Sequence, residues 1–78
     1  MAKKRSSSEK VLLKRFGSRV RKVRLEKGFS QEQLALEANL DRSYIGGVER
    51  GERNISLVNL FKLSKALSVP PSTLLEDD

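Results

Sequence analysis

The chain has 78 residues, no cysteine, no histidine and a net charge of +6. This length predicts one domain, which buries only about 60% of its unfolded surface and often gains stability by oligomerising. The residue types it lacks exclude a disulfide framework, a zinc finger and His- or Cys-based catalysis. We therefore expect no enzyme activity, no cofactor, no metal and no small-molecule ligand.

The charge is distributed unevenly along the chain. Residues 1–27 carry eleven basic and two acidic side chains, whereas residues 28–78 carry five basic and eight acidic ones. A basic block of this kind favours a polyanionic partner, either nucleic acid or an anionic membrane, although a solvated helix face would also produce it. Apolar runs such as Val11–Leu13 are too short for a signal sequence or a membrane span, so we expect a soluble intracellular protein.

The first eight residues, MAKKRSSS, contain no apolar residue after position 2 and predict a flexible basic arm. The folded domain is predicted over residues 9–78. A first helix is expected from about Glu9 to Lys27, and Gly28 suits the left-handed residue that ends a helix. Its apolar stripe has helical spacing and comprises Phe16, Val20 and Val23, extended by Leu12 and Leu13. A membrane-surface helix is the alternative, but this face has no tryptophan and is no wider than core packing requires.

A second, short helix is predicted after Ser30. Ser30 is a favourable N-cap, and Gln33 follows three residues later, as in a capping box. Phe29 and Leu34 have the spacing of a hydrophobic staple. The helix is expected to end near Asn39, a residue that tolerates the left-handed conformation of a sharp turn.

The segment DRSYIGGVERG, residues 41–51, fits two structures. Gly46-Gly47 is a common two-residue hairpin turn, but the flanking residues do not alternate and an isolated hairpin is unstable. A helix capped by Asp41 and ended by Gly51 places Ile45 and Val48 on one face, and we favour it. Each interior glycine costs a helix about 1 kcal/mol, a cost retained where something approaches the backbone closely, such as a neighbouring helix or the wall of a DNA groove.

Two more helices complete the expected all-α fold. The fourth spans residues 57–67, with a broad predicted core face of Leu57, Leu60, Phe61, Leu63, Ser64 and Leu67. Pro70-Pro71 ends this run, and Pro71 suits the first position of a last short helix. Leu74 and Leu75 in that helix either complete the core or form a homodimer contact. The acidic end, residues 76–78, is expected to point away from a polyanionic partner.

The short capped helix, the turn at Asn39 and the second short helix together form the pattern of a helix-turn-helix, whose second helix enters the major groove of DNA. Over about residues 13–75 the sequence resembles the Cro/CI-type (Xre) DNA-binding family. The matching residues are Gln31-Glu32-Gln33-Leu34-Ala35, Ile45, Glu49-Arg50-Gly51, Leu60, Leu63 and Ala66-Leu67-Ser68-Val69. Residues 40–44 and Arg53-Asn54 most resemble the controller proteins of restriction–modification systems. The implied fold is a compact five-helix, lambda repressor-like domain.

The resemblance implies a role for individual residues. The DNA base-reading residues are Arg42, Ser43 and Tyr44; the phosphate-contacting residues are Gln31, Arg53, Asn54 and Ser56; Arg24 and Glu49 form a structural ion pair; Leu74 and Leu75 contact the partner of a dimer. The residues themselves leave alternatives: Gln31 as a surface glutamine, Arg42 as a solvated charge or a phosphate contact, Tyr44 as a core residue, and the loop residues as ordinary helix caps. The sequence departs from the family at Asn39, where glycine is frequent, and at Gly47, where relatives often carry a base-reading side chain.

The expected function is that of a DNA-binding transcription regulator. As a homodimer it would place two recognition helices about 34 Å apart on a pseudo-palindromic double-stranded operator. The resemblance implies control of a restriction–modification operon that includes its own gene, and a cytoplasmic, nucleoid-associated location without membrane contact. The alternative is an antitoxin-type protein-interaction module that also regulates its own operon.

Overall fold

The computed structural model describes residues 7–76 of the protein. Within this range the chain forms five helices and no strand, which confirms the predicted all-α fold. The helices are α1 (Ser7–Glu26), α2 (Gln31–Ala38), α3 (Arg42–Glu49), α4 (Leu57–Leu67) and α5 (Pro71–Leu75). Helix α1 packs on α3 and α5, and α2 packs on α3 and α4.

Helix α1 begins two residues earlier than predicted. Ser7 and Ser8, assigned to the arm from the sequence, lie in its first turn. The rest of the predicted arm, residues 1–6, lies outside the described residues. One edge of the predicted apolar stripe is also corrected, because Leu13 is buried whereas Leu12 is 64% exposed.

Local sequence signals determine where the helices begin and end. The Ser30–Gln33 capping box is confirmed: Ser30 Oγ accepts the Gln33 amide at 3.0 Å, and Gln33 Oε1 accepts the Ser30 amide at 2.8 Å. Gly28 and Asn39 adopt the left-handed conformation after α1 and α2, at φ 77° and 56°. Ser68 does the same after α4, at φ 57°, where a side chain is less favourable than glycine.

The helical interpretation of residues 41–51 is confirmed, and a hairpin does not form. Asp41 occupies the N-cap position of α3 in an extended conformation, but its side chain makes no capping hydrogen bond. Ile45 and Val48 are fully buried, as predicted for one face. Gly51 ends the helix at φ 77°.

The core brings together side chains from all five helices. Its buried members are Phe16, Val20, Val23, Leu34, Ala35, Ala38, Ile45, Val48, Leu60, Leu63, Leu67 and Leu74. The predicted core face of α4 was too broad, since Leu57 and Phe61 are 69% and 54% exposed. Ser64 is buried as predicted, and its hydroxyl donates to the Phe61 carbonyl at 3.0 Å.

Helices α1 and α3 cross at a glycine. A methyl group at Gly17 would overlap the Val48 carbonyl oxygen and would lie 2.7 Å from the Glu49 carbonyl oxygen. Only glycine lets the two backbones approach this closely. The crossing fixes α3 against the longest helix and so sets the direction in which α3 presents its first turn.

Candidate nucleic-acid interface

Helix α3 is exposed at its beginning. Arg42 and Ser43 are exposed, whereas the rest of α3 from Ile45 to Glu49 is buried. The turn before it is compact, because the Leu40 amide donates to the Ala35 carbonyl at 2.9 Å across the left-handed Asn39. A rigid, buried helix therefore holds two polar side chains out from the surface at its N-terminal end.

A buried ion pair joins α1 to α3. Arg24 Nε donates to Glu49 Oε2 at 2.6 Å, and Arg24 Nη2 donates to Glu49 Oε1 at 3.0 Å. Both side chains are at least nine-tenths buried. Arg24 Nη1 also donates to the Phe29 carbonyl at 2.8 Å, so the pair ties the end of α1 to α3. The positions assigned from the sequence to a structural ion pair thus lie in direct contact.

Gln31 is attached to the same pair. Its Nε2 donates to Glu49 Oε1 at 3.0 Å, and the side chain is partly buried. As the first residue of α2, Gln31 also lies where the free amides of a helix N-terminus favour an anion. Its position is therefore fixed by the interior of the protein, and its predicted phosphate contact stays a prediction.

Tyr44 packs on the core and also meets a cation, and its predicted DNA contact stays a prediction. Its ring is partly buried and packs against the core. The exposed side of this residue meets Arg53, whose Cζ lies 5.8 Å from the ring centroid. That distance is within cation–π range. The sequence favoured a DNA contact over core packing for Tyr44, and the structure shows that core packing does occur.

The loop between α3 and α4 contains the other predicted phosphate contacts. Arg53 and Asn54 are exposed. Ser56 is the N-cap of α4, and its Oγ accepts the Asn59 amide at 3.1 Å. The structure thus gives Ser56 the capping role that the sequence left open beside a phosphate contact.

An exposed ion pair in this loop has no counterpart in the sequence predictions. Arg50 Nε and Nη2 each donate to a carboxylate oxygen of Glu52 at 3.1 Å. The hydrogen bond from Arg50 lowers the pKa of the Glu52 carboxyl from its usual value, and it raises the pKa of Arg50. Arg50 and Glu52 lie two positions apart in a turn, outside any helix or strand. No regular periodicity therefore predicts from the sequence that their side chains meet.

Part of the basic block of α1 is used within the fold. Arg19 Nε donates to the Thr73 carbonyl at 2.9 Å, and Arg19 Nη2 donates to Glu76 at 3.0 Å. Arg24 is occupied by Glu49. The net charge of the first 27 residues therefore overstates the positive charge that α1 can offer to a polyanion.

The two leucines assigned to a dimer contact have different surroundings. Leu74 is fully buried in the chain's own core, so its prediction as a dimer contact is wrong. Leu75 is 62% exposed and borders an apolar groove with Leu12 and Ile55. The side chains of adjacent helical residues leave the axis about 100° apart, and in α5 only that of Leu74 reaches the core.

In the described part of the chain, residues 7–76, the structure contains no helix with the length and apolar character needed to cross a membrane.

Comparison with known proteins establishes the class. A family model described as helix-turn-helix matches residues 20–74, more than half of the chain, and the chain belongs to this family.

Within the family, the chain is similar to restriction–modification controller proteins. It is 55% identical over 62 residues to the control protein C.BamHI of Bacillus amyloliquefaciens, covering 78% of this chain and 76% of that one. The crystal structure of the controller protein C.AhdI from Aeromonas hydrophila is 58% identical, with a TM-score of 0.79, over 80% of this chain and 94% of that one.

A third relative has been solved with DNA. The controller protein C.Esp1396I, as a tetramer with its natural 35-base-pair operator, is 43% identical to this chain with a TM-score of 0.75, over 81% of this chain and 83% of that one. Other structures of the same relative carry substitutions at three consecutive residues, an arginine, a threonine and a tyrosine. This chain contains a single tyrosine, and Arg42 and Ser43 precede it.

Proposed function

We propose that the protein is a sequence-specific transcription regulator that binds a pseudo-palindromic double-stranded DNA operator as a homodimer and controls a restriction–modification operon including its own gene. The observation that carries the proposal is the exposed, polar first turn of a buried and rigid α3. Its place of action is the cytoplasmic nucleoid. Its work is binding and not catalysis, and it needs no cofactor.

Base reading is assigned to Arg42, Ser43 and Tyr44. Arg42 suits the O6 and N7 acceptors of guanine, a bidentate contact that contributes about 1–3 kcal/mol of discrimination. Ser43 is exposed beside it and its hydroxyl can donate or accept. The order Arg-Ser-Tyr parallels the Arg-Thr-Tyr order of the three substituted residues in C.Esp1396I. The polar tip of Tyr44 completes the set while its ring stays on the core.

Phosphate binding is assigned to four groups around α3. Gln31 keeps one side-chain N–H beyond its bond to Glu49 and has the free amides of α2 next to it. Ser56 uses its oxygen to cap α4, which leaves its hydroxyl proton for a phosphate oxygen. Arg53 and Asn54 are exposed in the loop between α3 and α4. These contacts would position α3 in the groove without reading sequence themselves.

Dimerisation is assigned to the apolar surface near α5 and α4. Leu75 is 62% exposed, and α4 exposes Leu57, Val58 and Phe61 at 69%, 66% and 54%. Exposed large apolar groups on a domain this small favour burial against a second copy. A two-fold dimer would match the two-fold symmetry of a pseudo-palindrome, with recognition helices about 34 Å apart.

The test uses the DNA upstream of the protein's own gene. Fluorescence anisotropy would compare this duplex with a scrambled duplex of the same length and composition, at fixed salt. We expect at least about 10³-fold tighter binding to the upstream DNA, protection of two half-sites in a footprint, and two protomers per site by sedimentation. Equal affinity for both duplexes would refute sequence-specific regulation.

A further inference from the structure

The turn after α3 directs the chain back along the helix. The Gly51 amide donates to the Val48 carbonyl at 3.0 Å, and the Glu52 amide donates to the Gly47 carbonyl at 2.8 Å. With Gly51 left-handed, these two bonds form a Schellman motif. Arg53 is the next residue, so its side chain starts beside the last turn of α3.

The side chain of Arg53 then lies against the bare backbone of Gly47. A methyl group at position 47 would be 2.9 Å from Arg53 Cγ, 3.4 Å from Nε and 3.7 Å from Cδ. Tyr44 is three residues before Gly47, on the same helix face, and the Arg53 guanidinium reaches its ring. Since that ring packs on the core, it is a fixed platform for a long and otherwise mobile side chain.

From this geometry we propose that Gly47 is a positioning residue: its missing side chain leaves the space through which Arg53 crosses α3 to stack on Tyr44, and the stack holds the guanidinium ready for a DNA phosphate. The DNA contact rests on the proposed function, whereas the stack does not. An arginine already held in place loses less rotamer freedom on binding. Its planar fork also matches the oxygens of a phosphate.

The substitution Gly47→Ala separates folding from binding. Alanine is the better helix former by about 1 kcal/mol, but it moves Arg53 from Cγ outwards and so removes an exposed stack that contributes about 0.5–1 kcal/mol. The melting temperature should therefore stay the same or rise by up to about 4 °C. Operator affinity should nevertheless fall by about tenfold. The plot of log affinity against log salt should become shallower by about 0.9, as expected for one lost phosphate contact.

Gly46→Ala is the matched control. It makes the same exchange one residue earlier, but a methyl group there meets the far end of Arg50, 3.0 Å from Nη1. Its contact with Gln31 Oε1, at 3.7 Å, is an ordinary van der Waals distance that displaces nothing, and Arg53 is not among its nearest atoms. It should keep the wild-type salt slope. A loss of slope as large as that of Gly47→Ala would show that any added side chain on α3 disturbs binding, and would overturn the proposal.

Two further measurements test whether Gly47 acts through Arg53. In an Arg53→Gln background, Gly47→Ala should change neither affinity nor slope, and additive losses would overturn the proposal. By NMR, the Arg53 side-chain protons should show ring-current shifts from Tyr44 that Gly47→Ala removes. Ring-current shifts that persist in Gly47→Ala would refute the proposal that the missing side chain at position 47 makes room for Arg53. The NMR measurement needs no DNA, so it tests this proposal even if the wild type binds no duplex. A wild type that binds no duplex would refute the proposed function instead.

Tyr44→Leu decides the matter if Gly47→Ala does not fold. Leucine keeps an apolar side chain on the core but removes the ring beneath the guanidinium. It should lower the salt slope in the wild-type background and leave it unchanged in the Arg53→Gln background. A slope that falls equally in both backgrounds would mean that Tyr44 does not act through Arg53.

Discussion

Replacing only one partner of the Arg24–Glu49 pair should destabilise the fold strongly, because it leaves the other partner as an unpaired buried charge. Arg24→Met keeps the aliphatic stem and leaves Glu49 as a buried charge with only Gln31 as a donor. Glu49→Leu leaves a buried guanidinium with one carbonyl acceptor, Phe29. Each single substitution should cost about 3–5 kcal/mol, a large share of the roughly 4–12 kcal/mol expected for a domain of this size.

The double variant should lose much less than the sum of the singles. It carries neither buried charge, and well-packed apolar replacements for a buried ion pair are often close to neutral. The loss that remains is the Arg24 bond to the Phe29 carbonyl. Since the two singles should lose at least about 6 kcal/mol in sum and the double variant only about 1–2 kcal/mol, we expect a coupling energy of at least about 4 kcal/mol, measured by urea unfolding followed by circular dichroism. Additivity of the two singles within about 0.5 kcal/mol would refute the reasoning.

The Arg50–Glu52 pair provides the control for this cycle. Its distances are similar, 3.1 Å for both hydrogen bonds, but its side chains are 61% and 60% exposed. Water already solvates both groups, so removing one partner leaves no buried charge. The same cycle at these positions should show no coupling beyond experimental error. Equal coupling in both cycles would mean that contact distance, and not burial, determines the effect.

Four other substitutions, one of them with a control variant, test separate parts of the molecule. Arg42→Ala should cost about 1–3 kcal/mol on the operator and much less on scrambled DNA, as measured by anisotropy titrations; equal losses on both would make Arg42 a phosphate contact. Leu75→Glu should give a folded monomer by light scattering and circular dichroism, whereas Leu36→Glu, at a position 78% exposed on α2, should stay dimeric. Ser68→Gly should stabilise the fold by about 1 kcal/mol in urea unfolding, because it relieves a left-handed residue that carries a side chain. Gly17→Ala should destabilise it by about 1–3 kcal/mol or more in the same assay, because carbonyl groups of α3 occupy the space; an unchanged midpoint would refute the close crossing of α1 and α3.

The helix ends were predictable because their causes are local. Ser30 and Gln33 form their capping box within four residues, and Asn39 and Gly51 supply left-handed positions that few other residues tolerate. Proline at position 71 begins α5 as expected. Such signals need no knowledge of what the helix packs against. The resemblance added the long-range Arg24–Glu49 pair, which no local pattern contains.

The burial of neighbouring apolar residues was less predictable. The apolar residues of α4 cover more than half of its circumference, and only the placement of α2 and α5 determines that Leu60 and Leu63 turn inward while Leu57 and Phe61 stay exposed. Helix α5 has too few residues for any periodicity to distinguish Leu74 from Leu75. For Tyr44, the sequence showed that it flanks Ile45, but not that the ring is wide enough to reach the core as well.

The glycines show why residue type alone does not predict the effect of a substitution. Gly17 and Gly47 both lie inside helices, where glycine is unfavourable by about the same amount. At Gly17 the neighbouring atoms are carbonyl groups of α3, which cannot move without breaking the helix, so an added methyl group should destabilise the fold. At Gly47 the neighbour is the side chain of Arg53, which can swing into solvent, so the same methyl group should not destabilise the fold and should instead disturb the surface that we propose faces DNA. The sign of each effect depends on whether the adjacent atoms belong to a backbone or to a mobile side chain, and only the three-dimensional arrangement determines that.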